Sequence, residues 1–273
     1  MKTPSTPIFW SIFFILSLLI LSLIAQQYTE PREIVISQQQ AEIIGEKIWL
    51  NEGAGKFDNL VVWNKGEDFP SLGIGHFIWY PEHVTASFTE SFPELITFIA
   101  NKRDVPPWLK NLRFPPWRNR QEFLRQSNGL LTNNLRRFLQ ETKAEQTLFM
   151  VQRLEKALPK ILKSIKNPFA KMHVRENFYH VAMQNNGVYA LVDYVNFKGE
   201  GISPKERYKN LGWGLAQVLE NMDTNNKNVM QAFVNSAERM LSRRVANAPR
   251  DESRWLPGWK KRLNTYLESP TRE

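Results

Sequence analysis

Glu52, Glu67, Asp68 and Ser71 lie in one stretch rich in glycine and aromatic residues. It reads Trp49-Leu-Asn-Glu52-Gly-Ala-Gly, then Trp63-Asn64-Lys65-Gly66-Glu67-Asp68-Phe-Pro-Ser71-Leu-Gly-Ile-Gly-His76. Acid-catalysed cleavage of a glycosidic bond needs a proton donor on the leaving oxygen. It usually needs a second carboxylate to activate water or stabilise the cation. Glu52 is the candidate donor, Glu67 or Asp68 the candidate partner, and Ser71 a hydroxyl that can hold water. A donor must stay protonated near neutral pH. Desolvation at a helix end beside Trp49 predicts a raised Glu52 pKa. The glycines flanking Glu52 predict close backbone approach of a ligand.

The elements that must position these groups follow from local patterns. Ser37 with Gln40 is a capping-box pair. Ala41, Ile44, Ile48 and Trp49 recur at helical spacing, so a helix is predicted to end near Asn51-Glu52-Gly53. Leu60-Val61-Val62-Trp63 reads as a short strand, Asn64-Lys65-Gly66 as a turn, and Ser71 to Tyr80 as strand and tight turn. From residue 120 onward the chain reads as amphipathic helices: Phe123 to Arg125, Leu135 to Leu139, Leu148 to Ile165, Val188 to Phe197, Leu215 to Met222 and Val229 to Val245. No alternation of strand and helix occurs. The fold class is α+β, mostly α, with one small sheet near the N-terminus.

The helix-terminal Glu-Gly, the short hairpin and Ser71-Leu-Gly-Ile-Gly-His76 resemble the phage-type lysozymes. Those enzymes carry Asp-Glu-Gly or Asn-Glu-Gly at the helix end and Thr-Ile-Gly-Ile-Gly-His in the sheet. The resemblance implies a lysozyme-like fold, a small N-terminal β-hairpin lobe plus a helical lobe, that cleaves the sugar backbone of peptidoglycan. It puts the catalytic glutamate at Glu52, the water-holding hydroxyl at Ser71 and a structural histidine at His76. Trp63 and His76 are also candidate sugar contacts. The family's second carboxylate, an aspartate, aligns without a gap on Lys65. Some members of the superfamily, the lytic transglycosylases, use one glutamate and form an anhydro product.

The segment from Gly187 to Gly201 is similar to a late helix of the phage-type lysozymes, Ala-Leu-x-Ser/Asp-Phe-x-x-Asn-x-Gly. It makes Tyr194 and Asn196 candidate sugar contacts and Glu200 a reserve carboxylate. The other reading is a buried helix that Asn196 caps. Gly212-Trp213-Gly214-Leu215-Ala216-Gln217 resembles the Gly-Leu-Met-Gln of transglycosylases, which brings Gln217 in as a further contact. Two Pro-Pro-Trp runs, at Pro106 to Trp108 and Pro115 to Trp117, are either a sugar-facing loop or a packed one.

The composition bounds the alternatives. The 273 residues are 42% hydrophobic and 12% aromatic, enough for a buried core, and carry a net charge of +9. That charge favours an acidic wall polymer over cationic chitosan. The absence of cysteine excludes disulfides, thiolate metal sites and a cysteine nucleophile. His76, His83, His173 and His180 form no metal-ligand spacing, and the chemistry calls for no cofactor. Lys2 and the apolar run from Ile8 to Ala25 predict export, by a signal ending at Ala25 or by an uncleaved membrane anchor. Residues 1–25 are thus signal or anchor, 26–33 a linker, and 34–268 one catalytic domain, periplasmic or anchored facing the periplasm. Lys260-Lys261-Arg262, Arg243-Arg244 and Arg136-Arg137 read as solvated helix faces, and export argues against a nucleic-acid partner. The rival functions are a chitosanase- or chitinase-like glycosidase and an inactive wall-binding module.

Overall fold

A computed structural model describes residues 32–268. The expected signal or anchor at residues 1–25 and most of the expected linker at 26–33 lie outside the described residues. The chain divides after Glu33, and residues from Ile34 onward form one compact unit, described here. The unit is α+β and mostly helical. Among the described residues, no helix is long and apolar enough to cross a membrane.

Helix α1 spans Gln38–Gly53. Its start is the capping box: Gln40 N–H donates to Ser37 Oγ at 3.1 Å, and Ser37 N–H donates to Gln40 Oε1 at 2.8 Å. Two donors that the first helical turn leaves free are thereby satisfied. Ala54, in the left-handed region at φ 51°, ends it, which fixes Glu52 in the last turn. Gly53 is not open to a ligand as its type suggested. It packs on Trp49, whose ring atom Cδ1 would lie 3.0 Å from an added Cβ.

The first sheet is three-stranded and antiparallel, in the order β1 (Val61–Val62), β2 (Ser71–Leu72), β3 (Phe77–Ile78). Val61 pairs with Leu72 and Leu72 with Phe77, so these three buried side chains share the core face. Val62, Ser71 and Ile78 share the other face. Gly73 turns the chain at φ 68°, where a Cβ would meet Gln146 Oε1 at 2.2 Å. Gln146 is fully buried and accepts from Ile74 N–H at 2.9 Å, tying the turn to the helical lobe.

Helices α2 (Phe92–Ala100), α3 (Pro107–Lys110), α4 (Arg120–Gln126) and α5 (Leu130–Glu141) lead to α6 (Lys143–Ser164). The 22 residues of α6 make it the longest helix of the described residues, and α1 packs along it. Both Pro-Pro-Trp runs are packed rather than sugar-facing, the first at the start of α3: Trp117 is fully buried and Trp108 packs on the core. Then come α7 (Pro168–Ala182), α8 (Gly187–Lys198), α9 (Leu215–Glu220), α10 (Val229–Asn247) and α11 (Leu256–Asn264). An added Cβ at Gly187 would lie 1.6 Å from Val181 O, so glycine alone lets α8 start against the end of α7. A second hairpin, absent from the sequence reading, pairs β4 (Arg207–Tyr208) with β5 (Leu211–Gly212). Lys209 and Asn210, at φ 48° and 65°, form its two-residue turn, as the strand twist favours.

Candidate active site

Glu52 hangs from the last turn of α1 with its side chain 13% exposed. Three elements close on it. Arg262 of α11 donates through Nη2 to Glu52 Oε1 at 2.5 Å. Asn196 of α8 donates through Nδ2 to the same oxygen at 3.2 Å. His76, the last residue of the β2–β3 turn and at φ 49°, brings Nδ1 to 3.6 Å from Oε2.

Arg262 is itself fixed from behind. Its Nε and Nη2 donate to the two oxygens of Asp193, both at 2.8 Å. Asp193 is fully buried and also accepts from Tyr266 OH at 2.6 Å and from Asn51 Nδ2 at 3.3 Å. Asn51 donates in addition to Tyr189 OH at 2.7 Å. The guanidinium lies 4.1 Å from the centre of the Phe197 ring. One arginine therefore joins two carboxylates, Glu52 at the site and Asp193 in the core.

This arrangement reverses the expected direction of the Glu52 pKa. Burial does push the carboxyl up, but Arg262, His76 and the Asn196 hydrogen bond together hold it below its ordinary value. Burial works against the charge of Arg262 too. Asp193 and then Glu52 outweigh it and hold the guanidinium above its usual range. Burial, with Asp193 nearby, pushes Tyr189 up to about 12.

His76 and Asn196, which both reach Glu52, line a cavity of about 230 Å³ between the hairpin lobe and helices α6 and α8. Ile78 lines it too, and Ile78 shares its sheet face with Ser71. The reserve carboxylate Glu200, just past α8, is on the same wall, with Lys160 Nζ 3.5 Å from its Oε1. Glu67 and Asp68 are not among the lining residues. Glu67 accepts from Asn64 Nδ2 at 3.1 Å within its own turn, and Asp68 is exposed.

The remaining candidates turn inward. Trp63 is buried, packs on Phe123 and donates Nε1 to Glu67 O at 2.8 Å. Tyr194 is fully buried and donates its hydroxyl to Trp213 O at 2.7 Å. Neither offers a face to a sugar. Gln217 is bound up in its loop, accepting from Gly214 N–H and donating to Gly201 O, both at 3.1 Å. Asn196 does not cap α8; Gly199, at φ 86°, follows its end.

The sequence reading missed Arg262, Asp193 and Asn51. Arg262 was placed on a solvated helix face, yet its side chain is 11% exposed and ion-paired. Its charge is needed inside because Asp193 is buried there. The Lys-Lys-Arg run gives no sign of which cation turns inward. Arg136 and Arg244 depart from the same expectation, the first buried on the inner side of α5 and the second paired with buried Glu252 at 2.8 Å.

No family model matches the sequence, and neither a curated protein nor a solved structure is detectably similar to it.

Proposed function

We propose that this chain is an exported, lysozyme-like enzyme that cleaves the sugar backbone of peptidoglycan, with Glu52 as its general acid. The observation that carries the reading is the setting of Glu52. A largely buried carboxylate at a helix end is held by groups from the hairpin, α8 and α11, two of which line the adjoining cavity. Export rests on the apolar run from Ile8 to Ala25.

In this reading Glu52 gives its proton to the oxygen bridging two amino sugars, and the glycosidic bond breaks with its electrons on that oxygen. Arg262 stabilises the carboxylate left behind. It makes Glu52 a stronger acid while lowering the fraction protonated at rest. Glu200 takes the second-carboxylate role in preference to Glu67 or Asp68, because it lines the cavity. It accepts a proton from attacking water; Ser71, buried and not among the lining residues, is set aside with Glu67 and Asp68. If the sugar's own hydroxyl attacks instead, Glu52 takes the proton back and an anhydro product results.

The experiment is release of sugar fragments from purified peptidoglycan. Glu52→Gln should lose roughly 10²–10⁴-fold in rate. Undiminished turnover by that variant refutes the assignment. The low pKa of Glu52 also favours a second reading, an inactive wall-binding module whose glutamate is a structural ion-pair partner. Binding of peptidoglycan by the unaltered chain, with no product, would establish that alternative.

A further inference from the structure

A second and larger cavity, about 760 Å³, opens beside the first. Thr89 lines both. Phe197 lines the larger one, and its ring carries Arg262 at 4.1 Å and Lys198 at 3.8 Å. Lys198, the last residue of α8, lines the larger cavity and is only 8% exposed. Its ammonium lies between two rings, with Trp259 at 3.5 Å from the other side. No hydrogen bond or ion pair engages that ammonium among the described residues. A buried cation without a counter-ion is costly, and it is relieved by losing its proton or by gaining an anion.

The rest of the wall suits an acidic ligand with an apolar face. Lys205 stands at the rim, exposed, 4.8 Å from the Phe88 ring. Phe88 is 53% exposed, unusual for a phenyl ring. Tyr208 adds a half-buried ring. The other charges are already engaged. Arg244 bonds Glu252, and Glu206 accepts from Gly201 N–H at 2.5 Å.

We propose that this cavity is a second binding site, continuous with the Glu52 site, in which Lys198 binds a carboxylate carried on the glycan. The proposal rests on the glycan-cleaving reading for the identity of the ligand, but not for the binding of an anion. The carboxylate belongs either to an acidic sugar or to a peptide attached to it.

Binding and protonation are linked. Burial, with Arg244 and Arg262 nearby, pulls the Lys198 amine down to about 6, against weaker opposition from Glu252 and Glu52. Glu206 and Lys205 are the other charged groups at this cavity. A bound carboxylate favours the ammonium and draws a proton in, so affinity falls as pH rises above about 6.

The test uses the full chain carrying Glu52→Gln, so that the glycan stays intact. Calorimetry measures the affinity of three tetrasaccharides. One is chitin, and the others alternate N-acetylglucosamine with N-acetylmuramic acid, without peptides or with them. Adding Lys198→Met should weaken binding of a carboxylated tetramer about 10- to 100-fold and that of the chitin tetramer by less than about twofold. Loss already present with the peptide-free tetramer identifies the sugar carboxylate; loss confined to the peptide-bearing one identifies the peptide. With Lys198 intact, that affinity should drop about tenfold or more from pH 6 to pH 8, a dependence absent from Lys198→Met. Unchanged affinity of Lys198→Met for both carboxylated tetramers overturns the proposal. Lys205→Ala, at the exposed rim, gives a smaller loss of the same selectivity should Lys198→Met fold poorly. If no tetramer binds, the glycan reading falls and glutarate decides the anion site. An upward shift of the Lys198 ¹³Cε titration midpoint with glutarate upholds it, and an unmoved midpoint overturns it.

Discussion

Replacing Arg262 by methionine tests whether one guanidinium holds the site together. The side chains of Glu52, Arg262 and Asp193 are 13%, 11% and 0% exposed, so the small values typical of surface ion pairs do not apply. Arg262→Met removes both bonds to Asp193, the bond to Glu52 and the contact with the Phe197 ring. Asp193 is left with Tyr266 and Asn51 as its donors, a buried charge without a counter-ion. Removing one member of such a pair costs about 3–5 kcal/mol. Asp193→Asn in the same chain removes the stranded charge, so the double variant should recover about 1–3 kcal/mol over Arg262→Met. Urea unfolding of the wild type, both single variants and the double variant at pH 7 gives the four free energies. A loss below about 1 kcal/mol in Arg262→Met, or losses that add without coupling in the double variant, would refute the reasoning.

The pH dependences separate the two unusual pKa values. Glu52 sits below its ordinary value of 4.5, so in the proposed reading the acid form needed for cleavage is lost as pH rises through that lowered value. Arg262→Met should move this limb of the rate profile to higher pH, and an unmoved limb would mean that Glu52 is not the titrating acid. Lys198 has a folded value near 6 against 10.5 for the free side chain, so the native state binds fewer protons than the unfolded chain in that window. Stability should therefore rise with pH from about 6 to 10.5, by no more than about 6 kcal/mol at 1.4 kcal/mol per pH unit. Lys198→Met should flatten that slope and raise the urea midpoint at pH 7; a slope unchanged by the substitution shows that Lys198 stays charged. Gln146→Leu leaves Ile74 N–H without its acceptor and Leu139 O without its side-chain donor. It should cost about 1–3 kcal/mol for each group left unpaired. Amide exchange at Ile74 no faster than in the wild type would show that Gln146 does not hold the turn.

What could be read from the sequence was local. The capping box at Ser37 and Gln40 works within one helical turn, and both of its bonds form. Val61-Val62 and the glycine-rich turn after Ser71 specify strand and bend through their own backbone preferences. What could not be read was long-range. Glu52 and Arg262 lie 210 residues apart, and no spacing rule links them. The same limit applies to Trp63 and Tyr194. Each carries a polar handle on an apolar ring, a combination that suits a sugar face and equally a buried hydrogen bond. Backbone carbonyls at Glu67 and Trp213 accept those handles, and the rings turn inward. The start of α7 did carry a signal, Asn167-Pro168, where the asparagine side chain accepts from Phe169 and Ala170 N–H.

The corrected pKa of Glu52 narrows the mechanism more than the missing aspartate does. An acid kept neutral by a dry pocket waits protonated, and its rate is limited by how readily it parts with the proton. An acid held by an arginine waits ionised, and its rate is limited by how often it acquires one. The second case needs something at the site that favours the proton. Arg262 and Lys198 flank the same Phe197 ring, and the charge of Arg262 helps lower the Lys198 pKa. A carboxylate arriving beside Lys198 brings negative charge toward Glu52 as well. Below about pH 6, where Lys198 is already an ammonium, it weakens the local cationic field and raises the fraction of Glu52 that is protonated; above that pH the proton gained by Lys198 cancels the added charge. On this argument, an acidic polymer turns Glu52 from an ion-pair partner into an acid more effectively than a neutral one. Glutarate should therefore raise the Glu52 pKa in the unaltered chain, and less in Lys198→Met. The ¹³Cδ titration of Glu52 checks this, and an equal rise in both would break the link between the two cavities.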